Sequence, residues 1–254
     1  MLSDDQVARY HEDGFVVPDY RLPDDTVAAI RADYDRLVAR YPEFLDYCPN
    51  LLTYDLSFLN HARIPEILDM VAQVLGPDFA LWNSSFFAKP ARAGRKTPWH
   101  QDGEYWPIWP VATCTVWMAI DDATPDNGCM RFIRGSHRES ELRQHRTNND
   151  RSFTLNQELP ASEFDESEAV DLVLESGQIS LHDVFLVHGS EANRSDQPRR
   201  AMTLRLMPTT SVFDRELSAR QTKEKNLAVD HAERTLYLMR GVDRSGRNDF
   251  RMRR

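Results

Sequence analysis

The feature that most constrains the fold is a change in sequence texture at Phe79. From there to about residue 212, short runs rich in β-branched and aromatic residues alternate with turn residues such as Pro125–Gly128 and Ser176–Gly177. Short, closely spaced runs of this kind are typical of the strands of an antiparallel sandwich or jelly roll. The runs are ALWNSSFFAK, TCTVWMAIDDA, CMRFIRG, DLVLESGQISLHDVFLVHG and AMTLRLMPT. The sequence therefore predicts a mainly β core.

The residues before this core follow a helical period instead. Ser3 is a suitable N-cap, and Gly14 is a suitable stop for the first helix. Apolar residues recur every three or four positions in two later segments. We predict helices over Asp4–Glu12, about Pro23–Arg40 and about Ile64–Leu75, with a short strand at Phe15–Val17. The fold class predicted is thus mainly β with flanking helices.

Two further segments depart from the strand pattern. The polar stretch Glu139–Glu168 contains RTNND and PASEFDESE, and is predicted to be an insertion or a lid between strands. Residues 214–235 are predicted to be helical, and DRSGRNDFRMRR is predicted to be a mobile, solvated tail. We expect a single domain over 1–254. It comprises a mainly helical N-terminal layer (1–78), a jelly-roll core (79–212) and a C-terminal helix and tail (213–254).

Composition excludes several functional classes. A formal net charge of -9 argues against a general nucleic-acid binder and gives no support to an anionic-membrane partner. Three cysteines without a CxxC pair argue against a disulfide framework and favour a reducing cytoplasm. The polar N-terminus has no signal-peptide core, and no apolar run reaches the roughly 18 residues of a membrane span. We expect a cytoplasmic protein with a small-molecule substrate; the sequence does not indicate its oligomeric state.

A metal site is predicted from three residues, His100 and Asp102 in TPWHQDGEYW and His188 in LHDVFLVHG. Residues two apart on a strand share a face, so His100 and Asp102 can bind one ion. Two imidazoles and one carboxylate are the ligands of a mononuclear non-haem Fe(II) site with open positions. Zinc with three protein ligands is the competing metal. His182 is a rival third ligand of the same strand parity, but His188 is favoured by its place before Gly189.

An arginine follows His188 in the sequence at a spacing that favours a binding site for a co-substrate carboxylate. Arg199 lies eleven residues after His188, and its guanidinium suits a carboxylate of 2-oxoglutarate. Arg200 points the other way if the strand has already begun, so one of the two faces inward. We predict that Arg199 does, and this arginine favours iron with 2-oxoglutarate over zinc.

Aromatic residues close to the predicted ligands are candidates for the substrate pocket. Three of them follow Asp102 in the segment EYWPIWP, which could equally be an aromatic–proline loop that packs on the barrel. The candidates for the pocket wall are Tyr105, Trp106 and Trp109. Four further residues could each belong either to the core or to the pocket wall: Phe86, Phe87, Met118 and Met130.

Several segments, in their order and spacing, resemble one known family over nearly the whole chain. They are LSDDQVARYHEDGFVV, LPDDTVAAIRADYDRL, FFAKPARAGRKTPWHQDGEYWP, TVWMAIDDATPDNGCMRFIRGSH and VHGSEANRSDQPRRAMTLRLMP. The chain resembles the phytanoyl-CoA dioxygenase family of Fe(II)/2-oxoglutarate-dependent oxygenases. This resemblance implies a double-stranded β-helix, which is a cupin-like jelly roll, flanked by helices.

The resemblance also implies roles for individual residues. His100, Asp102 and His188 would bind Fe(II). Arg199 would bind the C5 carboxylate of 2-oxoglutarate, with Ser190 close enough to assist. The remaining assignments are less specific: Trp117 would line the co-substrate pocket unless it belongs to the core, and Lys89 would contact 2-oxoglutarate or line the substrate entrance.

The implied activity is an oxidation that uses O2 and 2-oxoglutarate. Such an enzyme hydroxylates, or otherwise oxidises, an unactivated C–H bond of a small molecule and releases succinate and CO2. Halogenating relatives have Ala or Gly at the carboxylate position, so the presence of Asp102 favours hydroxylation. Two alternatives stay open: a cupin-type zinc or manganese enzyme without 2-oxoglutarate, and a non-catalytic metabolite-binding barrel.

Overall fold

Two antiparallel β-sheets form the centre of the computed structural model, which describes residues 1–150, 152–224 and 231–253. The helices are α1 (Asp4–Asp13), α2 (Asp24–Arg40), α3 (Leu51–Tyr54), α4 (Phe58–Ala62), α5 (Pro65–Leu75) and α6 (Arg215–Glu224). The strands are β1 (Phe15–Val16), β2 (Tyr47–Cys48), β3 (Phe79–Lys89), β4 (Thr97–His100), β5 (Ile108–Trp109), β6 (Cys114–Ala119), β7 (Met130–Ile133), β8 (Arg146–Thr147), β9 (Gln157–Glu158), β10 (Ala169–Leu172), β11 (Ile179–Asp183), β12 (His188–Ser190), β13 (Arg199–Pro208), β14 (Val212–Phe213) and β15 (Tyr237–Arg240). Short 3₁₀ turns lie at Pro42–Phe44, Asp102–Tyr105, Pro125–Asn127, Ala161–Glu163 and Glu166–Glu168.

The order of the strands is that of a jelly roll. The large sheet runs β1-β11-β6-β13-β3-β15, with β2 paired to β3, and the small sheet runs β10-β7-β12-β4. Neighbouring strands in each sheet are mostly distant in the chain, because the chain crosses repeatedly between the two sheets. The predicted fold class, a mainly β jelly-roll core with flanking helices, is confirmed.

Alternation along β13 separates the helix-facing side of the large sheet from the interior of the barrel. Met202 and Leu204 are fully buried in the apolar cluster that also contains residues of the helices. Thr203 and Arg205 point to the opposite side and line a cavity between the sheets. Since side chains alternate along a strand, one strand supplies both the core and the site.

The N-terminal helices cover the outer face of the large sheet. Helix α1 begins with a capping box between Ser3 and Gln6 and ends at Gly14, whose φ of 85° is the left-handed conformation that glycine adopts easily. Tyr10 of α1 and Ile30 of α2 belong to the same apolar cluster as β13. The three predicted helices are confirmed to within two residues at their ends. No helix in the described ranges is long and apolar enough to cross a membrane.

The C-terminal region differs from the prediction. Helix α6 ends at Glu224, residues 225–230 lie outside the described ranges, and 231–235 are not helical, so the predicted helix over 214–235 is too long. The tail is also attached rather than free: Arg244 Nε donates to Asp78 Oδ2 at 2.6 Å, and Asn248 Nδ2 donates to the Ser211 carbonyl at 3.0 Å. Strand β15 pairs with the open edge of β3 and forms hydrogen bonds with its backbone groups. The local sequence does not indicate this pairing. The assignment of one domain stays a prediction.

Candidate metal centre

Three buried side chains converge where the small sheet opens into the barrel. His100 ends β4 and His188 begins β12, and the two residues are direct partners in the antiparallel register. Asp102 is the first residue of the 3₁₀ turn that follows β4. One ligand atom from each of the three lies within 4.8 Å of the others. The chain therefore brings together the three residues predicted as metal ligands.

Backbone contacts set the direction of both imidazoles. His100 Nδ1 lies 2.8 Å from the Pro98 carbonyl, and His188 Nδ1 lies 2.9 Å from the Leu186 carbonyl. Because a carbonyl oxygen only accepts, each Nδ1 carries a proton, which leaves each Nε2 as the atom that can bind a metal. A metal-binding histidine is usually fixed in this way by its second nitrogen. The donor set therefore fits a divalent metal ion.

Asp102 is held in its anionic form. Thr115 Oγ1 donates to its Oδ2 at 3.2 Å, and Arg205 Nη2 lies 3.6 Å from its Oδ1. Burial opposes ionisation, but Arg205, with further help from His100 and His182, holds the pKa of this carboxyl well below its usual range. A carboxylate that stays charged while buried is ready to bind a cation.

The route by which these residues meet differs from the one expected. Asp102 does not lie on a strand, because the chain turns immediately after His100. His182 and His188 belong to different strands in different sheets, so the argument from their common parity was wrong. His182 is buried, and its Nε2 lies 3.8 Å from Asp102 Oδ2. His182 thus neighbours the cluster, whereas His188 contributes the third converging atom.

A small cavity extends from the three ligands into the barrel. Arg199, Ser190 and Trp117 line it. The guanidinium carbon of Arg199 lies 5.5 Å from the ring centroid of Trp117, and its Nε has no hydrogen-bond partner among the described residues. Burial lowers the pKa of Arg199 to about 10. A buried cation without an acceptor is costly, so this pocket suits a carboxylate.

Arg200 occupies the opposite face of the same strand. Its Nε and Nη2 donate to the two carboxylate oxygens of Asp121 at 2.7 and 2.9 Å. Its guanidinium carbon lies 5.9 Å from the ring centroid of Tyr34, which belongs to α2. Alternation along β13 therefore directs Arg199 inward and Arg200 outward.

A larger cleft of about 600 Å³ lies on the other side of the predicted ligands. It shares His100, Asp102, Phe87 and Arg205 with the small cavity. The segment 145–157 forms much of its wall, apart from residue 151, which lies outside the described ranges. The polar stretch predicted as an insertion or lid thus borders the cleft. The predicted metal position lies where the small cavity meets the larger cleft.

The structure separates the predicted substrate residues from one another. Trp106 lines the cleft and packs against Trp82, with ring centroids 4.7 Å apart. Trp109 is 73% exposed and lines neither cavity, because β5 carries it to the surface. The side chain of Tyr105 lies outside the described part of the structure.

Lys89 lies deep in the barrel beside Arg199, its partner in the register of β3 and β13. Its Nζ donates to the carbonyls of Arg95 and Glu191 at 2.5 and 2.6 Å. Burial lowers the pKa of Lys89 to about 6. Lys89 lines neither of the two cavities, so it is placed as a support of the barrel end rather than as a wall of the substrate entrance.

The sequence reasoning missed Arg205, which lines both cavities. A signal was present: Arg205 lies an even number of residues from Arg199, so the two share a face of β13. An arginine inside the otherwise apolar run AMTLRLM is also unusual for a strand covered on both sides. Thr115, which contacts Asp102, lies directly opposite Arg205 in the neighbouring strand.

The chain was compared with known families and proteins. A family model described as Phytanoyl-CoA dioxygenase (PhyH) matches residues 10–201. The human protein named phytanoyl-CoA dioxygenase, peroxisomal, is 26% identical over 230 residues, which cover 80% of this chain and 68% of the human protein. The region that the family model matches, 10–201, includes all the residues of the predicted metal and co-substrate sites.

Solved structures agree with the fold. The non-haem monooxygenase ThoJ in its apo form has a TM-score of 0.75 and 28% sequence identity, and the match covers 98% of this chain and 88% of ThoJ. EvdO2 from Micromonospora carbonacea var. aurantiaca, solved in complex with 2-oxoglutarate, has a TM-score of 0.69 and 24% identity. That match covers 82% of this chain and 91% of EvdO2, and at this identity it supports the fold.

Proposed function

Because this chain belongs to the phytanoyl-CoA dioxygenase family, and is thus an Fe(II)- and 2-oxoglutarate-dependent dioxygenase, we propose that it hydroxylates a small molecule bound in the 600 Å³ cleft. The bond attacked is an unactivated C–H bond; desaturation or another oxidation is the variant outcome. One observation carries the proposal. The His100–Asp102–His188 cluster lies between a small cavity, which Arg199 lines, and a larger cleft.

The three clustered side chains would hold Fe(II). His100 and His188 offer Nε2 atoms whose direction is set by the backbone, and Asp102 offers a carboxylate that remains charged. When bound, iron with 2-oxoglutarate supplies the activation of O2 and the oxidation of the substrate, with succinate and CO2 as the products of the co-substrate. The carboxylate of Asp102 favours hydroxylation over halogenation.

The small cavity would hold 2-oxoglutarate. Arg199 would bind the carboxylate far from the metal, since its guanidinium is buried and its Nε has no acceptor among the described residues. Ser190 and Trp117 line the same pocket. Their contribution is a hydroxyl close to the carboxylate and a flat apolar wall.

The open cleft would hold the substrate. Trp106, Phe87 and Phe153 provide an apolar lining, and the described residues of 145–157 that line the cleft would close over a bound molecule. The human relative is named for an acyl-CoA, which supports a small-molecule substrate. We further propose a cytoplasmic location without a nucleic-acid or membrane partner, based on the free cysteines and the acidic charge. Cell fractionation tests the location.

The test is a 2-oxoglutarate turnover screen. The Fe(II)-loaded protein is incubated aerobically with amino acids, ectoine-like osmolytes, acyl-CoAs, terpenoids and polyketide intermediates, and succinate is measured. We expect at least one class to raise succinate release above the substrate-free rate, with one oxygen added to the substrate. Asp102→Ala serves as the inactive control. Product formation without 2-oxoglutarate would instead support a cupin-type enzyme.

A further inference from the structure

We propose that Arg205 binds an anionic oxygen group of the substrate, a carboxylate or a phosphate, at the floor of the cleft. This inference rests on the proposed function, because it assumes that the cleft receives the substrate. It goes further by naming the chemical class of that substrate and the residue that selects it.

Arg205 is a fixed cation in a position that faces both cavities. It is 7% exposed. Its guanidinium carbon lies 5.2 Å from the ring centroid of Trp106 and 5.7 Å from that of Phe87. Its Nη1 donates to Ser85 Oγ at 2.9 Å. Because these contacts hold the guanidinium in one place, little conformational freedom is lost when an anion binds to it.

The contact with Asp102 does not satisfy this guanidinium. The closest atoms of Arg205 and Asp102 are 3.6 Å apart, longer than the roughly 2.7–2.9 Å of a charge-assisted hydrogen bond. Arg200 and Asp121, by contrast, meet at 2.7 and 2.9 Å. The Nε of Arg205 has no hydrogen-bond partner among the described residues. Asp102 therefore leaves donor capacity on Arg205 for another anion.

The charges in the assembled site leave Arg205 without compensation. A ferrous ion and the two guanidiniums of Arg199 and Arg205 carry four positive charges. The carboxylate of Asp102 and doubly charged 2-oxoglutarate carry three negative ones. Lys89, with a pKa of about 6, adds none at neutral pH. One positive charge remains beside a side chain that is only 7% exposed, and an unpaired charge at a buried position is unfavourable.

The excess charge faces the cleft rather than the small cavity. Arg199 would be neutralised by the far carboxylate of 2-oxoglutarate, whereas Arg205 lines the cleft. Among the described residues that line the cleft, Asp150 is the acidic residue besides Asp102, and it is exposed to solvent, which screens its charge. Arg95, the other cation of the lining, is paired with Asp46 at 3.0 Å. A substrate oxyanion is thus the group that completes the charge balance. Since Arg205 is close to Asp102, it also brings the neighbouring carbon atoms of the substrate near the metal.

The experiment uses anaerobic protein loaded with Fe(II) and saturated with 2-oxoglutarate, so that Arg199 is occupied. It is titrated by calorimetry with three probes of similar shape: cyclohexanecarboxylate, cyclohexyl phosphate and neutral cyclohexanecarboxamide. We expect one of the two anions to bind at least about tenfold more tightly than the amide, the low end of the range for a hydrogen bond to a charged group. The preferred anion distinguishes a carboxylate from a phosphate substrate.

Two variants assign this preference to Arg205. Arg205→Gln should remove the preference for the anion and leave the affinity for the amide within about twofold. Arg205→Lys should keep part of it, because the charge remains but the planar fork is lost. If Arg205→Gln does not retain iron, the test uses Arg205→Lys instead. A preference for the anion over the amide that is as large in Arg205→Lys as in the unmodified protein contradicts the proposal.

Failure of this inference can be told apart from failure of the proposed function. The visible charge-transfer band of the Fe(II)–2-oxoglutarate complex is recorded in each sample before the titration. A normal band in the unmodified protein without preference for either anion overturns the role of Arg205 alone. A missing band in the unmodified protein overturns the proposed metal and co-substrate site, and the role of Arg205 with it.

Discussion

Replacement of Arg199 by methionine should weaken 2-oxoglutarate binding strongly while leaving iron binding intact. Methionine keeps much of the volume and removes the charge. The cleft and the His100–Asp102–His188 cluster are untouched, since Arg199 lines the small cavity and makes no hydrogen bond to them. The variant therefore isolates the interaction between the guanidinium and the far carboxylate of 2-oxoglutarate.

The size of the effect follows from the burial of this arginine. Arg199 is 3% exposed, so the pair it forms with a carboxylate is almost fully desolvated. Removing one partner of such a pair costs about 2–5 kcal/mol. At about 1.4 kcal/mol per factor of ten, the dissociation constant of 2-oxoglutarate should rise by roughly 30-fold to a few thousandfold.

The same variant should not destabilise the protein without its co-substrate. Burial lowers the pKa of Arg199 to about 10. A difference of one in pKa corresponds to about 1.4 kcal/mol, so keeping this side chain charged costs the fold on the order of 3 kcal/mol. Arg199→Met removes that cost, and the free energy of unfolding should stay equal or rise. If Arg199 served only to stabilise the fold, Arg199→Met would instead lower the free energy of unfolding.

The assay is an anaerobic titration of the Fe(II) protein with 2-oxoglutarate, followed by its visible charge-transfer band, with succinate formation as a second readout. Arg200→Met is the matched control. It breaks the contacts with Asp121 and should lower stability by about 1–3 kcal/mol, but change 2-oxoglutarate binding less than about threefold. If Arg199→Met binds 2-oxoglutarate normally and Arg200→Met does not, the assignment of the two faces of β13 is wrong.

Three further outcomes are expected. Asp102→Ala should abolish succinate-coupled oxidation and leave less than a tenth of the bound iron, and iron retained at full occupancy would contradict its role as a ligand. His182→Asn should reduce iron affinity by no more than about 10- to 100-fold, the range for a residue that only supports a ligand, whereas His188→Ala should abolish binding; equal losses would make His182 a ligand. Burial, aided by Arg234 and Arg205, holds the pKa of His231 well below its usual range. As the pH is lowered, His231 is therefore protonated in the unfolded chain while it is still neutral in the folded protein. The free energy of unfolding of the metal-free protein should therefore decrease as the pH is lowered past about 6.5, by up to about 1.4 kcal/mol per pH unit for this residue. Denaturant titrations at pH 7 and pH 5.5 should show a smaller decrease for His231→Asn than for the unmodified protein.

Local sequence was sufficient for the elements whose signals are local. The capping box at Ser3, the stop at Gly14 and the apolar period of α2 depend on neighbours within a few residues, and all three are present in the structure. The predicted cluster of His100, Asp102 and His188 is also present in the structure, because two imidazoles and one carboxylate form a specific ligand set that residue type alone can indicate.

Pairing between distant segments could not be predicted from one sequence. Strand β15 returns to the edge of β3, and 231–235 do not continue the helix, although their composition permits one. The same limit applies to the pocket walls. Trp106 and Trp109 have similar local sequences, yet the pairing of β5 with β14 leaves Trp109 at the surface while Trp106 packs inside.

The sequence by itself predicted the fold class, the three side chains that cluster in the structure and a cation close to them, since these depend on residue type and spacing. The tertiary structure decided which arginine faces inward, that Arg205 lies beside Asp102, and that the chain changes sheets between His182 and His188. The physical reason is that alternation assigns two faces to a strand, whereas only the packing of the second sheet makes one of them the inside.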